Sequence, residues 1–341
     1  MSKPTHILVI RLSAMGDVAM TVPVLSIFSE TYPEVQLTVL SKPFFKPFFE
    51  DLSNVNFLEA DVYGVHKGLG LLKLAKQAKA LKIDAVADLH NVIRSKIVTK
   101  YLNLQGIKTA TIDKGRSEKK QLTTGEIFEP LKSTYQRYAE VFEALGYPLD
   151  VSKSLQKKQK EASAKVKELL KDSSKKSIGI APFAAYTSKM YPLDLMQKVI
   201  ASLNQKENYN IFLFGGGAEE KTKLNEMASQ YSSVSSVVGK LTFNEELALI
   251  SNLDVMLSMD SGNGHLAAMY GVPVLTLWGV THPYAGFAPF GQDKSNSIVS
   301  DRAQFPQIPT SIYGNKFPEG YEEVMRTIEP EIVVENLLKL L

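Results

Sequence analysis

Ser258-Met259-Asp260-Ser261-Gly262-Asn263-Gly264-His265-Leu266-Ala267-Ala268-Met269-Tyr270-Gly271-Val272-Pro273 is the stretch on which the fold turns. An apolar run leads into Asp260-Ser261, which has the composition of a helix cap. A Gly-Asn-Gly turn follows, then a helical segment, and Gly271 stops the helix before the next apolar run. Strand, turn, helix and strand in this order build parallel, helix-covered sheets. The first N–H groups of such a helix have no intrahelical partner and carry the positive end of its dipole, which favours an anion. Gly262 and Gly264 keep side-chain bulk away from that mouth. His265, read alone, is more simply a buried structural histidine.

The same grammar extends outward. Strands are expected at 176–181, 210–214, 234–238, 254–258 and 272–277, with helical periodicity around 193–203, 219–230, 244–250 and 265–270. The first half repeats the pattern, with strands at 6–12, 36–40, 55–59, 85–89 and 108–111 and the clearest helices at 69–81 and 135–145. A Lys-, Ser- and Gln-rich stretch from 150 to 176 separates the two sets. The expected architecture is therefore α/β, two Rossmann-like doubly wound domains facing each other across a cleft. Their expected bounds are 1–165 and 166–325. A last segment, 326–341, carries an amphipathic helix from Pro330 whose apolar stripe is expected to pack across the domains.

Composition agrees. The 341 residues are 44% hydrophobic and 22% charged, a globular balance at two-domain length. The absence of cysteine removes disulfides and thiolate metal sites. The apolar run 7–10 is too short for a signal sequence, and no run reaches the ~20 residues of a membrane span. A cytoplasmic location is expected, with peripheral contact at the inner membrane allowed. Residues 1–165 hold 24 Lys and Arg against 17 Asp and Glu, a net +7, and the remainder is −4. A basic first half suits an anionic partner or is a solvated surface. Nucleic acid is not expected, because no aromatic-plus-basic module is visible.

Three other turns carry polar groups just past a strand end, where open parallel sheets bind ligands. In Arg11-Leu12-Ser13-Ala14-Met15-Gly16-Asp17, Asp17 is the only acid among the first 29 residues. It reads either as a helix cap or as a general base. Pro23 places the start of the following helix near Thr21 or distorts its first turn. In Tyr186-Thr187-Ser188-Lys189, two hydroxyls and an ammonium stand together, suiting a phosphate or a solvated loop. In Gly215-Gly216-Gly217-Ala218-Glu219-Glu220, Glu219 is placed to accept from a ribose diol. Neither a dinucleotide fingerprint nor a P-loop is present.

Met15-Gly16-Asp17, Thr187-Ser188-Lys189, Asp260-Ser261-Gly262 with His265, Trp278-Gly279-Val280-Thr281-His282-Pro283 and Val324-Met325-Arg326-Thr327-Ile328-Glu329-Pro330-Glu331 together resemble glycosyltransferase family nine, the heptosyltransferases of the lipopolysaccharide core. The resemblance spans nearly the whole chain, with departures at Asn263 and His282. It implies a GT-B enzyme with the acceptor on the first domain and the nucleotide on the second. It also implies inverting transfer, usually from ADP-heptose, with no essential metal and no cofactor. Asp17 would be the catalytic base. Thr187, Ser188 and Lys189 would hold donor phosphate, and Asp260, Ser261, Gly262 and His265 would line the donor site. Glu219 would bind the ribose, in a register open between it and Glu220, and Leu241 would flank the adenine. Arg11 either orients Asp17 or meets the acceptor, and Arg94 and Arg137 are acceptor candidates. The implied partners are a nucleotide-sugar donor and an anionic glycolipid acceptor. Another nucleotide sugar on the same scaffold, or a non-catalytic sugar-nucleotide-binding protein, is the alternative.

Overall fold

The computed structural model describes residues 3–152, 155–170, 172 and 174–341. Residues 153, 154, 171 and 173 of the expected linker, and the first two residues of the chain, lie outside the described residues. Two compact units result: Met1–Arg116 with Lys132–Lys153, and Ser117–Leu131 with Ser154–Leu341.

The first half runs β1 (His6–Ile10), α1 (Met15–Ala19), α2 (Thr21–Thr31), β2 (Gln36–Ser41), β3 (Val55–Glu59), α3 (Gly70–Ala80), β4 (Ala85–Asp88), α4 (Ile93–Leu104), β5 (Lys108–Thr111), α5 (Arg116–Thr124) and α6 (Thr134–Leu145). Among the described residues the sheet of the first unit has the order β3-β2-β1-β4-β5, all parallel. Strand β1 lies between helix layers, and Ile7, Leu8, Val9 and Ile10 are wholly buried. A parallel sheet covered on both faces calls for such an unbroken apolar run. Met20 separates α1 from α2, so Pro23 falls in a first turn, where its missing N–H leaves no intrahelical bond unmade.

The second half continues α7 (Ala164–Leu169), β6 (Lys176–Ala181), α8 (Leu193–Asn204), β7 (Tyr209–Leu213), α9 (Gly217–Ala228), β8 (Val234–Ser236), α10 (Phe243–Ser251), β9 (Val255–Met259), α11 (Gly262–Ala268), β10 (Val274–Trp278), β11 (Ser297–Val299) and α12 (Pro330–Leu338). Its sheet has the order β11-β10-β9-β6-β7-β8. Helix α12 packs on α8, burying Val333, Val334 and Leu337 with Leu195, Met196 and Val199 in the core of the second unit. Residues 117–131 also belong to this unit. Leu131 N donates to Tyr284 O over 2.9 Å, and the Phe128 ring packs at a tilt against His282 and Tyr284. Both units are thus doubly wound α/β layers of the GT-B kind. In each, the winding reverses beside the first strand, between β1 and β4 and between β6 and β9.

Candidate active site

In the first unit the loops after β1 and β4 meet at that reversal. Arg11 is buried, and its Nη1 donates to Leu89 O over 2.8 Å. Its Nη2 stands 2.7 Å from Asp17 Oδ2, and its guanidinium carbon 5.9 Å from the Tyr138 ring centroid. Burial opposes the charge on Arg11, but Tyr138, Asp17 and Asp88 outweigh it and hold the pKa above the ordinary value. Asp17 Oδ2 also accepts from Ala14 N, so the cap reading and the ion pair are realised by one carboxylate. The Asp17 side chain keeps 28% exposure against 8% for Arg11, so the carboxylate is the presented member.

Beside this pair, His90 Nδ1 accepts from Leu12 N over 3.3 Å, which places the ring proton on Nε2. Burial, and then the nearby Arg11, Lys114 and Lys42, push its pKa down to about 3, so the ring is neutral at physiological pH. The turn carrying it is held by Asp88, whose Oδ1 accepts from His90 N and Asn91 N. His90 lines a hollow of about 610 Å³ with Ser13, Lys42, Arg94, Lys96 and Arg116. Arg94 is thus one of four basic side chains, with Lys42, Lys96 and Arg116, around this hollow. Arg137 does not line the hollow; it is buried, donating to the carbonyls of Lys132 and Asp113. The sequence reading did not single out His90 or Lys42. A polar His-Asn pair directly after an apolar strand was the available signal.

In the second unit the loops after β6 and β9 meet likewise. Lys189 Nζ lies 3.1 Å from Asp260 Oδ2, and Thr281 Oγ1 donates to the same oxygen over 2.9 Å. Gly279 is required here, since a Cβ would stand 2.1 Å from Ser188 O. Ser188 is buried and donates its hydroxyl proton to Gly314 O, whereas Thr187 is exposed. Ser261 precedes α11 without capping it, because its Oγ lies 3.2 Å from Ser258 Oγ while Asp260 turns to Lys189. Helix α11 begins at Gly262, so the Gly-Asn-Gly segment is its first turn rather than a loop before it. Among the described residues no side-chain cap closes that first turn. His265 is buried in the same turn.

Glu219 and Glu220 separate clearly. Glu220 Oε2 accepts from Gly216 N over 2.6 Å, tying it to the glycine turn. The Glu219 side chain is 83% exposed and pairs with Lys223. Leu241 lines a different hollow, of about 470 Å³, with Asn210, Ser233 and Lys240 at the β7–β8 edge. His282 is a buried cap whose Nδ1 accepts from Tyr284 N; burial, then Arg302, lower its pKa to about 4. Among the described residues no helix is long and apolar enough to cross a membrane.

Comparison with known proteins adds to this geometry. The sequence model of Glycosyltransferase family 9 (heptosyltransferase) matches residues 71–311. The lipopolysaccharide core heptosyltransferase OpsX of Haemophilus influenzae is 25% identical, over 88% of this chain and 86% of that protein. A glycosyl transferase family 9 structure from Veillonella parvula superposes with a TM-score of 0.75 at 20% identity, covering 98% and 97% of the two chains. The Escherichia coli heptosyltransferase WaaC with ADP gives 0.65 at 16% identity, covering 98% and 97%.

Proposed function

The chain belongs to glycosyltransferase family 9, the heptosyltransferases, and on that premise we propose that it transfers heptose from ADP-heptose to an anionic lipopolysaccharide-core acceptor with inversion. Asp17 receives the proton of the acceptor hydroxyl. The hydroxyl oxygen bonds to the anomeric carbon from the face opposite the nucleotide, and the bond from that carbon to the diphosphate oxygen breaks. Arg11, buried and paired, orients the base rather than binding acceptor. Positioned proton transfer of this kind contributes roughly 10²–10⁴-fold.

The observation that carries the reading is the Arg11–Asp17 pair, which presents one carboxylate at the reversal of the first sheet. The donor belongs to the second unit. There Lys189, released from Asp260 by an incoming diphosphate, neutralises the leaving group, and the amides opening α11 add positive potential without a metal. Thr187 and Ser261 offer hydroxyls to the phosphates, and Glu219 accepts from the ribose. A relative bound to ADP supports the nucleotide. The acceptor belongs in the basic hollow of the first unit, with Arg94 and His90 Nε2–H as donors to its anionic groups. Peripheral contact with the inner membrane follows from a lipid-borne acceptor. Asp17→Asn tests the scheme: kcat falls while the dissociation constant for ADP-heptose is retained. Near-normal turnover removes Asp17 from the mechanism, and donor binding without transfer by the wild-type chain leaves only a sugar-nucleotide-binding protein.

A further inference from the structure

Three segments of the first unit converge on Tyr63. Lys42 Nζ and the Arg94 guanidinium carbon each lie 4.9 Å from its ring centroid. The chain after β2, the turn before α3 and the start of α4 therefore share one surface. That surface is apolar to a degree that water alone does not explain. Leu69 is 86% and Ile93 79% exposed, and Phe44, Tyr63 and Val65 are exposed with them. A Cβ on Gly70 would stand 2.4 Å from Val65 O, so the backbone beside Leu69 lies against Val65. Scattered exposed hydrophobes are ordinary, whereas a contiguous set marks a surface that meets something.

The charges select what it meets. Lys42 and Arg94 lie on the Tyr63 ring and Lys96 lines a hollow with Ile93, while Lys46 and Lys67 belong to the same segments; residues 42–49, 62–70 and 91–104 contain no Asp or Glu. Asp61, just before the second segment, accepts from Gly64 N and Val65 N and so shapes the turn. Unmixed positive charge around exposed apolar tips complements a uniformly anionic apolar layer better than a folded partner, whose surface alternates in sign.

We propose that this face docks on an anionic phospholipid bilayer, with Phe44, Val65, Leu69 and Ile93 entering the headgroup–acyl boundary and the cations meeting lipid phosphates. Tyr63, apolar in body and polar at its tip, suits that depth. Lys42, Ile93 and Arg94 belong both to this face and to the acceptor hollow. A glycolipid acceptor thus reaches the hollow without leaving the membrane surface, a consequence that rests on the function proposed above.

Flotation of the full chain with phosphatidylglycerol–phosphatidylethanolamine vesicles, and with phosphatidylcholine vesicles, tests the face. The chain floats with the first, is released by high salt, and does not float with the second. The double variant Val65→Glu, Leu69→Glu loses vesicle binding by about tenfold or more. Phe44→Glu, on a separate segment, does so too, and both transfer sugar to a delipidated acceptor at the wild-type rate. A wild-type chain that stays unbound with anionic vesicles overturns the face, as do variants that float like wild type. Transfer without flotation leaves the enzyme reading intact, whereas flotation without transfer to any acceptor removes that reading and keeps the face.

Discussion

In both units a cation and a carboxylate stand where the strand order reverses, but the two pairs differ in which member is anchored by further contacts. In the first unit the guanidinium is the fixed member, held by Leu89 O and the Tyr138 ring as well as by Asp17, so the carboxylate is on offer. In the second the carboxylate is fixed, because Asp260 accepts from Thr281 within its own unit, and the partner is a lysine on a four-carbon stem. A planar guanidinium fits several acceptors at once, while an ammonium is a movable point charge. In the function proposed above, the same topological position would serve as a base in one unit and as a phosphate clamp in the other.

The largest expected effect that sharpens this contrast is on Asp17. Asp17→Asn lowers kcat by roughly 10²–10⁴-fold with donor affinity unchanged in titration calorimetry. A comparable loss of donor affinity would erase the division of labour between the units. Next is Arg11→Lys. One ammonium cannot serve Leu89 O, Asp17 and the Tyr138 face together, so stability in urea titrations falls by roughly 2 kcal/mol. An unchanged midpoint would show that the guanidinium is not the anchor.

The third concerns His90, held neutral down to about pH 3 although an ordinary histidine titrates at 6.5. Below pH 6.5 the unfolded chain takes up a proton that the folded chain does not. The ring therefore costs nothing above 6.5 and an increasing amount as pH falls toward 3, about 2 kcal/mol at pH 5. His90→Asn keeps an acceptor for Leu12 N and cannot titrate, so the stability lost between pH 7 and 5 shrinks by about that amount. The same variant raises the acceptor KM, since Nε2–H is gone. His282→Asn relieves the second unit in the same direction and leaves acceptor KM alone. The smallest effect is on Lys189→Met, which weakens ADP binding by about tenfold, ~1.4 kcal/mol, with the urea midpoint nearly unmoved. A large stability loss there would make Lys189 a structural anchor like Arg11.

Much of this was legible in the chain. Wholly buried strands such as β1 and β9 read as continuous apolar runs, and every strand expected from the sequence is found within a residue or two of its place. Strand β11 and helix α5 were missed, and α4 was expected only as an unbounded stretch between two strands, because a three-residue edge strand and helices rich in Lys, Ser and Thr carry little periodicity. The cap assigned to Asp260-Ser261 failed for a different reason: both side chains had better partners, Lys189 and Ser258, from other strands.

Sequence alone determined the fold class, the turns in which polar groups gather and the family resemblance, since these depend on periodicity and on order along the chain. Only the tertiary structure decided that Asp17 is the more exposed member of its ion pair, that Arg137 and Ser188 donate to carbonyls, and that His90 joins Lys42 and Arg94 around one hollow. A side chain's partners come from strands distant in sequence and adjacent in the sheet. Burial, which sets what each charge costs and how freely it moves, exists only once those strands have packed.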